Sequence, residues 1–193
     1  NFIYVGSFWD LINIYSIIGG LVTLTGFTLH GAIFLSMKLE KPYGDRINQI
    51  AKKLWWPNII VLIFFGIQTY LFTDIIDQIG VNPGVVPIGA VLSLLVVGYL
   101  VYTHRIGWAF FMNCLAVVFS AATIFKILYP RLLVSSIDPA NSLTIMNSAS
   151  GEYTLKVMSI IALIFVPIVI GYQSWSYYIF RKRIKSDPES LHY

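Results

Sequence analysis

A chain of 193 residues that is 57% hydrophobic, 16% aromatic and only 11% charged carries too little charge to cover a water-exposed surface, because soluble domains are about 25% charged. Its mean hydropathy of +0.75 agrees, and the two exclude a disordered chain, a secreted disulfide scaffold and a nucleic-acid binder. The lone cysteine, Cys114, excludes an internal disulfide and a zinc cluster made of Cys alone.

The chain opens on Asn1, and no basic stretch precedes the first apolar run, so no signal peptide is visible. Phe2, Tyr4, Phe8 and Trp9 already crowd the start, which reads as cut from something longer. Crossing a bilayer core takes about 20 apolar residues as a helix. Five segments reach that length: about 11–37, 55–75, 85–103, 107–129 and 154–180. None carries Asp or Glu near its centre, and none alternates as a barrel strand would. The expected fold is all-α and integral to the membrane, with 1–193 as a single transmembrane domain. A four-helix bundle and one peripheral helix account for the five spans.

Charge sets the expected topology. Loop 38–54 holds Lys38, Lys41, Arg46, Lys52 and Lys53, the turn 104–106 holds Arg105, and the tail holds Arg181, Lys182, Arg183 and Lys185. Those ten basic residues fall on one side, against Lys126, Arg131 and Lys156 on the other. With the acidic residues included, the two sides carry +6 and −2. The bias puts the N-terminus outside and the C-terminus in the cytoplasm. Trp55, Trp56, Trp108, Trp175, Tyr177 and Tyr178 stand near span ends, where aromatic belts form. The external segment 130–153 is longer than a plain connector, which favours a packed or functional loop.

Two stripes of small and polar residues follow helical spacing. Ser16, Gly19, Thr23, Gly26 and His30 share a face of the first span; Ala109, Asn113, Ala116, Ser120 and Thr123 share one of the fourth. Membrane helices approach closely through such residues, because lipid gives apolar side chains no drive to associate. Both stripes are expected to be packing seams inside the chain's own bundle, with a ligand groove as the alternative.

His30 is the one histidine within a span; His104 sits in a turn and His192 in the tail. An imidazole at that depth could ligate haem, relay protons, bind a quinone or simply bond a neighbouring helix. A membrane haem b takes two axial side chains, and only Met112 and Met158 remain as remote second ligands. No HExxH, CxxC, GxGxxG or P-loop pattern occurs, so no catalytic or metal-ligating set is expected in this chain. Gln68 and Gln173 are expected as buried amides that join helices. Pro167 should kink the fifth span, and Lys126 should snorkel outward.

The stretch YPRLLVSSIDPANSLTIMNSASGEYTLKVMSIIALIFVPIVIGYQSWSYYIFRKRI, from Tyr129 to Ile184, resembles subunit II of the cytochrome bd-type quinol oxidases. The features that carry the resemblance are Tyr129-Pro130, Ser135-Ser136, Ser142-Leu143-Thr144, Asn147-Ser148, Thr154-Leu155, Val157-Met158, the VPI run from Val166 to Ile168, and Trp175, Tyr177 and Phe180. Leu29-His30-Gly31-Ala32, followed by Leu35 and Lys38, resembles the start of that subunit's second half. Gly107-Trp108-Ala109-Phe110 resembles the beginning of a later helix.

The resemblance implies a respiratory complex of the prokaryotic plasma membrane that oxidises quinol and reduces dioxygen to water. It implies that haem b and haem d, and the quinol-oxidising loop, belong to the partner subunit I, and that this chain binds no haem. Its implied role is structural, in assembly of the haem-bearing subunit, with lipid or a structural quinone between helices. Subunit II of this family has about nine membrane helices, against five here. The chain therefore reads as the carboxy-terminal portion, without the amino-terminal half that carries the family's proton-uptake acids. Two other classes compete: half of a secondary transporter, suggested by Pro167 and the buried amides, and a membrane anchor for a redox complex.

Overall fold

The computed structural model describes residues 7–73, 84–135 and 138–183. Of the features singled out above, Phe2, Tyr4, Ser136, Lys185 and His192 lie outside the described residues. The long helices are α1 (Ile14–Lys38), α2 (Tyr43–Phe72), α3 (Val85–Tyr102) and α4 (Ile106–Leu128). After them come β1 (Arg131–Leu133), β2 (Leu143–Thr144), the single turn α5 (Ile145–Ser148) and the long α6 (Glu152–Ile179). All five long helices are long and apolar enough to cross a membrane. The sequence reading has one domain, but the contacts divide the chain into two compact units with a break at Leu128, where α4 ends and a hairpin intervenes.

The largest correction concerns α2. Residues 43–54 read as loop because they are charged, yet they form the first three turns of a 30-residue helix. Arg, Lys, Gln, Ala and Leu are good helix formers wherever water can solvate the charges. At 1.5 Å per residue, this helix is about 45 Å long, more than the bilayer core needs. Gly44, Asn48 and Ala51 give the extension a buried face. Gly44 is required there: a Cβ would sit 2.8 Å from the Leu39 carbonyl oxygen, where α1 hands over to α2. Ser36 donates to the Gly44 carbonyl oxygen at 3.0 Å and closes the same corner. The helix also passes through Pro57 without ending.

A capping box starts α1. Asn13 accepts from the Ser16 N–H at 2.8 Å, and Ser16 Oγ accepts from the Asn13 N–H at 3.1 Å. Helix α1 then lies against α2 at Tyr15, Gly19, Thr25, Gly26 and Ser36. The Tyr15 and Phe65 rings stack at 5.1 Å, and the Tyr15 hydroxyl meets Thr69 Oγ1 at 3.2 Å. Asn58 Nδ2 donates to Thr25 Oγ1 at 3.1 Å, and Thr25 passes its own proton to the Leu21 carbonyl.

Between α2 and α3 the central contact is Trp55 on Gly98. An added Cβ at Gly98 would stand within 3 Å of three atoms of the indole, closer than real Cβ contacts come. The indole N–H donates to the Leu94 carbonyl at 3.0 Å. Trp55 is therefore a packing residue and not a member of an interfacial belt, because its polar edge is satisfied inside the protein. The fully buried side chains Leu29, Ile33, Val97, Val101 and Asn48 complete the core.

In the second unit, β1 and β2 pair antiparallel, with Arg131 opposite Thr144. Ser142, buried, accepts from the Ser135 N–H at 3.1 Å, and its carbonyl accepts from Asn147 Nδ2 at 3.1 Å. A second capping box, Thr144 with Asn147, begins α5. Around β2 and α5 the described part of the loop 130–153 is thus held by its own polar side chains. Helix α6 runs unbroken through Pro167 and has no buried residue, and Gln173 is exposed.

Gly98→Val should force the indole of Trp55 out of its seat. Overpacking of this kind costs about 1–3 kcal/mol, which lowers the Tm of a chain this size by about 3–10 °C. Thermal unfolding in mild detergent checks this, and Gly107→Val, with open space at its Cβ, is the matched control.

Candidate functional site

His30 sits in the membrane-spanning part of α1, four turns after its capping box. Its ring is half-buried and tilted against Phe110 of α4, with centroids 5.1 Å apart. Asn113, 3% exposed, places its Nδ2 2.8 Å from His30 Nδ1. The ring is thus held through Nδ1. Phe110 also meets Phe34, one turn along α1, at 5.8 Å. Lys38 follows one turn later, its Nζ 5.9 Å from the centre of the Phe34 ring. The pair is thus the polar centre of an aromatic contact between α1 and α4.

The two stripes divide on inspection. Gly19 and Gly26 are half-buried against α2, with Phe65 and Asn58 at 3.4 and 3.5 Å from where a Cβ would stand. Ala109, Asn113 and Ala116 are buried on α4. Ser16, Thr23 and Ser120 are exposed. Ser16 serves the N-cap, and Thr23 donates to the Gly19 carbonyl of its own helix at 3.0 Å. Thr123 does the same with Phe119, at 2.7 Å. The buried line of α1 is rotated from the expected stripe, through Tyr15, Leu29, Ile33 and Ser36. Thr23 instead borders an open groove of about 660 Å³, shared with Gly20, Leu24, Phe27 and Thr28.

Spacing alone missed Asn58, Thr25, Phe110 and Gly98. Buried Asn and Gly in an otherwise apolar run were the available signal, because each needs a partner or a close approach. Gln68 is buried with its Oε1 unpartnered. Among the described residues, no three His, Cys, Asp or Glu side chains gather. Met112 is the nearest thioether to His30 by sequence on the facing helix.

The family model for cytochrome bd terminal oxidase subunit II matches residues 1–180. The chain belongs to that family. It is 36% identical over 185 residues to a cytochrome bd ubiquinol oxidase subunit 2 from Bacillus subtilis, covering 95% of this chain and 54% of the relative. A probable cytochrome oxidase subunit 2 from Haemophilus influenzae is 28% identical, covering 90% and 53%. The cytochrome bd-I ubiquinol oxidase subunit 2 of Escherichia coli is 24% identical, covering 96% and 57%. The chain thus spans about half the length of the curated relatives it matches. With its five apolar helices, this member of the subunit II family is a multi-pass protein of the prokaryotic plasma membrane.

The His30–Asn113 bond should be separable from its surroundings by a double-mutant cycle with His30→Ala and Asn113→Ala. Interhelical hydrogen bonds in membranes average about 0.6 kcal/mol and reach about 1.7. A coupling energy within that range, read from unfolding in mixed micelles, is the expected result. Additive single effects would mean that the two side chains act independently.

Proposed function

We propose that the chain forms the carboxy-terminal portion of subunit II in a quinol:dioxygen oxidoreductase, and that it works as scaffold. In the complex, two quinols give four electrons and four protons, and dioxygen takes them to become two waters. No step of that chemistry falls to a side chain of this chain. Haem b and haem d are held by the partner subunit I, and the amino-terminal half of subunit II is the other protein neighbour. The observation that carries this reading is the subunit II family match over residues 1–180.

As scaffold, the chain offers helices joined through buried polar contacts. Three helices, α1 with α2 through Asn58–Thr25 and α1 with α4 through Asn113–His30, resist shear, so the surface they present to subunit I keeps its shape. That surface would shield the haems from lipid and water. The helix-packing assignment, as part of this proposal, covers Gly19, Gly26, Ala109, Asn113 and Ala116, with Ser16, Thr23 and Ser120 left to other contacts. A transporter half would use broken helices at mid-membrane, and the unbroken course of α6 through Pro167 argues against it.

A complex purified through a tag on this chain should show the visible bands of b- and d-type haem and consume oxygen with added quinol. A colourless preparation would contradict the assignment. His30→Ala should leave the ratio of haem to protein unchanged while lowering the yield of assembled complex. Loss of one haem from an otherwise intact complex would make His30 a ligand.

The orientation is testable by labelling. In a Cys114→Ser background, Lys41→Cys should react with a membrane-impermeant maleimide only after permeabilisation, and Ser148→Cys should react in intact cells. The reverse pattern would put the N-terminus inside.

A further inference from the structure

A polar cluster lies far from His30, where the early part of α2 meets the turn between α3 and α4. His104 occupies that turn with a positive φ of 59°, a left-handed conformation that few non-glycine residues adopt. The turn is pinned by the Arg105 N–H on the Leu100 carbonyl at 2.9 Å. This holds the imidazole between two side chains of α2: Lys52 Nζ lies 3.2 Å from Nε2, and the Asn48 amide 3.0 Å from Nδ1.

An ammonium only donates, so Nε2 accepts. Asn48, 1% exposed, closes on Nδ1 from the other side, and its Nδ2 also reaches the Val101 carbonyl at 3.5 Å. Lys52 is therefore aimed by a ring that is itself aimed from the core. It also stands 5.5 Å from the centre of the Tyr102 ring. The Tyr102 hydroxyl accepts from the Trp56 indole N–H at 3.0 Å and keeps its own proton to donate. Among the described residues, no carboxylate pairs with Lys52.

Two outward donors, one of them charged, thus converge beside an exposed indole. Below them, Ile60 and Ile63 on α2 and Tyr99 and Leu95 on α3 expose apolar side chains at helical spacing towards the membrane core. We propose that Lys52 and Tyr102, positioned by His104 and Asn48, bind the phosphate of an anionic phospholipid whose acyl chains lie along these two helix faces. Charge complementarity selects the headgroup. The phosphate oxygens accept from Lys52 and Tyr102, and the indole of Trp56 sits at headgroup level. The inference needs only the membrane-spanning helices, not the oxidase assignment.

The test uses the protein purified from its native membrane with whatever subunits accompany it. After delipidation it is offered phosphatidylglycerol or phosphatidylcholine in mixed micelles, and retained lipid is read by native mass spectrometry. Phosphatidylglycerol should be retained in preference. Lys52→Gln should lower its retention about five-fold, the value of one Lys at an anionic surface. Lys52→Arg should retain most of it, and Lys53→Gln, which removes the same charge one residue away, should retain all of it. Equal retention of the two lipids by the unmutated protein would overturn the proposal whatever the variants do. So would an equal loss in Lys53→Gln, displacement of the lipid by millimolar inorganic phosphate, or capture of a protein partner by a photo-crosslinker at position 56.

Discussion

The contacts between the helices answer to one constraint: inside a bilayer a polar group is costly unless it finds a partner within the protein. Helix α2 meets that demand most often. Its Asn58 reaches Thr25 on α1, its Trp55 reaches the Leu94 carbonyl on α3, and its Asn48 reaches the turn beyond α3. Each bond crosses between helices, so each also sets a distance and a rotation. Lipid tails are as apolar as leucine and cannot drive helices together, so packing and these bonds do the work. Glycine supplies the close approach, at Gly19 under Phe65 and at Gly98 under Trp55.

That arrangement suits a scaffold. An imidazole buried in a membrane is usually read as functional, and His30 is the obvious candidate. Its Nδ1 is already used by Asn113, and its ring is packed on Phe110. In the structure that side chain ties α1 to α4. Membership of the subunit II family is consistent with that division of labour, because the scaffold reading asks no redox chemistry of this chain.

The five spans were legible because bilayer thickness imposes a length on apolar runs, and their ends agree to within a few residues for α1, α3, α4 and α6. The start of α2 was not legible. Charge at Arg46, Lys52 and Lys53 looks the same in a loop and in a helix that emerges into water. Of the small-residue stripe on α1, Gly19 and Gly26 lie against α2, whereas Ser16 and Thr23 are exposed. Periodicity finds a face without naming the helix that covers it. Tyr15 and Ser36 belong to the seam because Thr69 and Gly44 stand opposite, and only the packed chain supplies those partners. Asn113 and His30 were each visible as polar residues in an apolar span. Their union, across 83 positions of sequence, was not.

The measurement that bears most directly on the scaffold account is a high-resolution structure of the assembled native complex with every iron atom located. The account predicts that His30 keeps its bond to Asn113 and that all haem irons take their axial ligands from another subunit. An iron coordinated by His30, or by any other side chain of this chain, would contradict it.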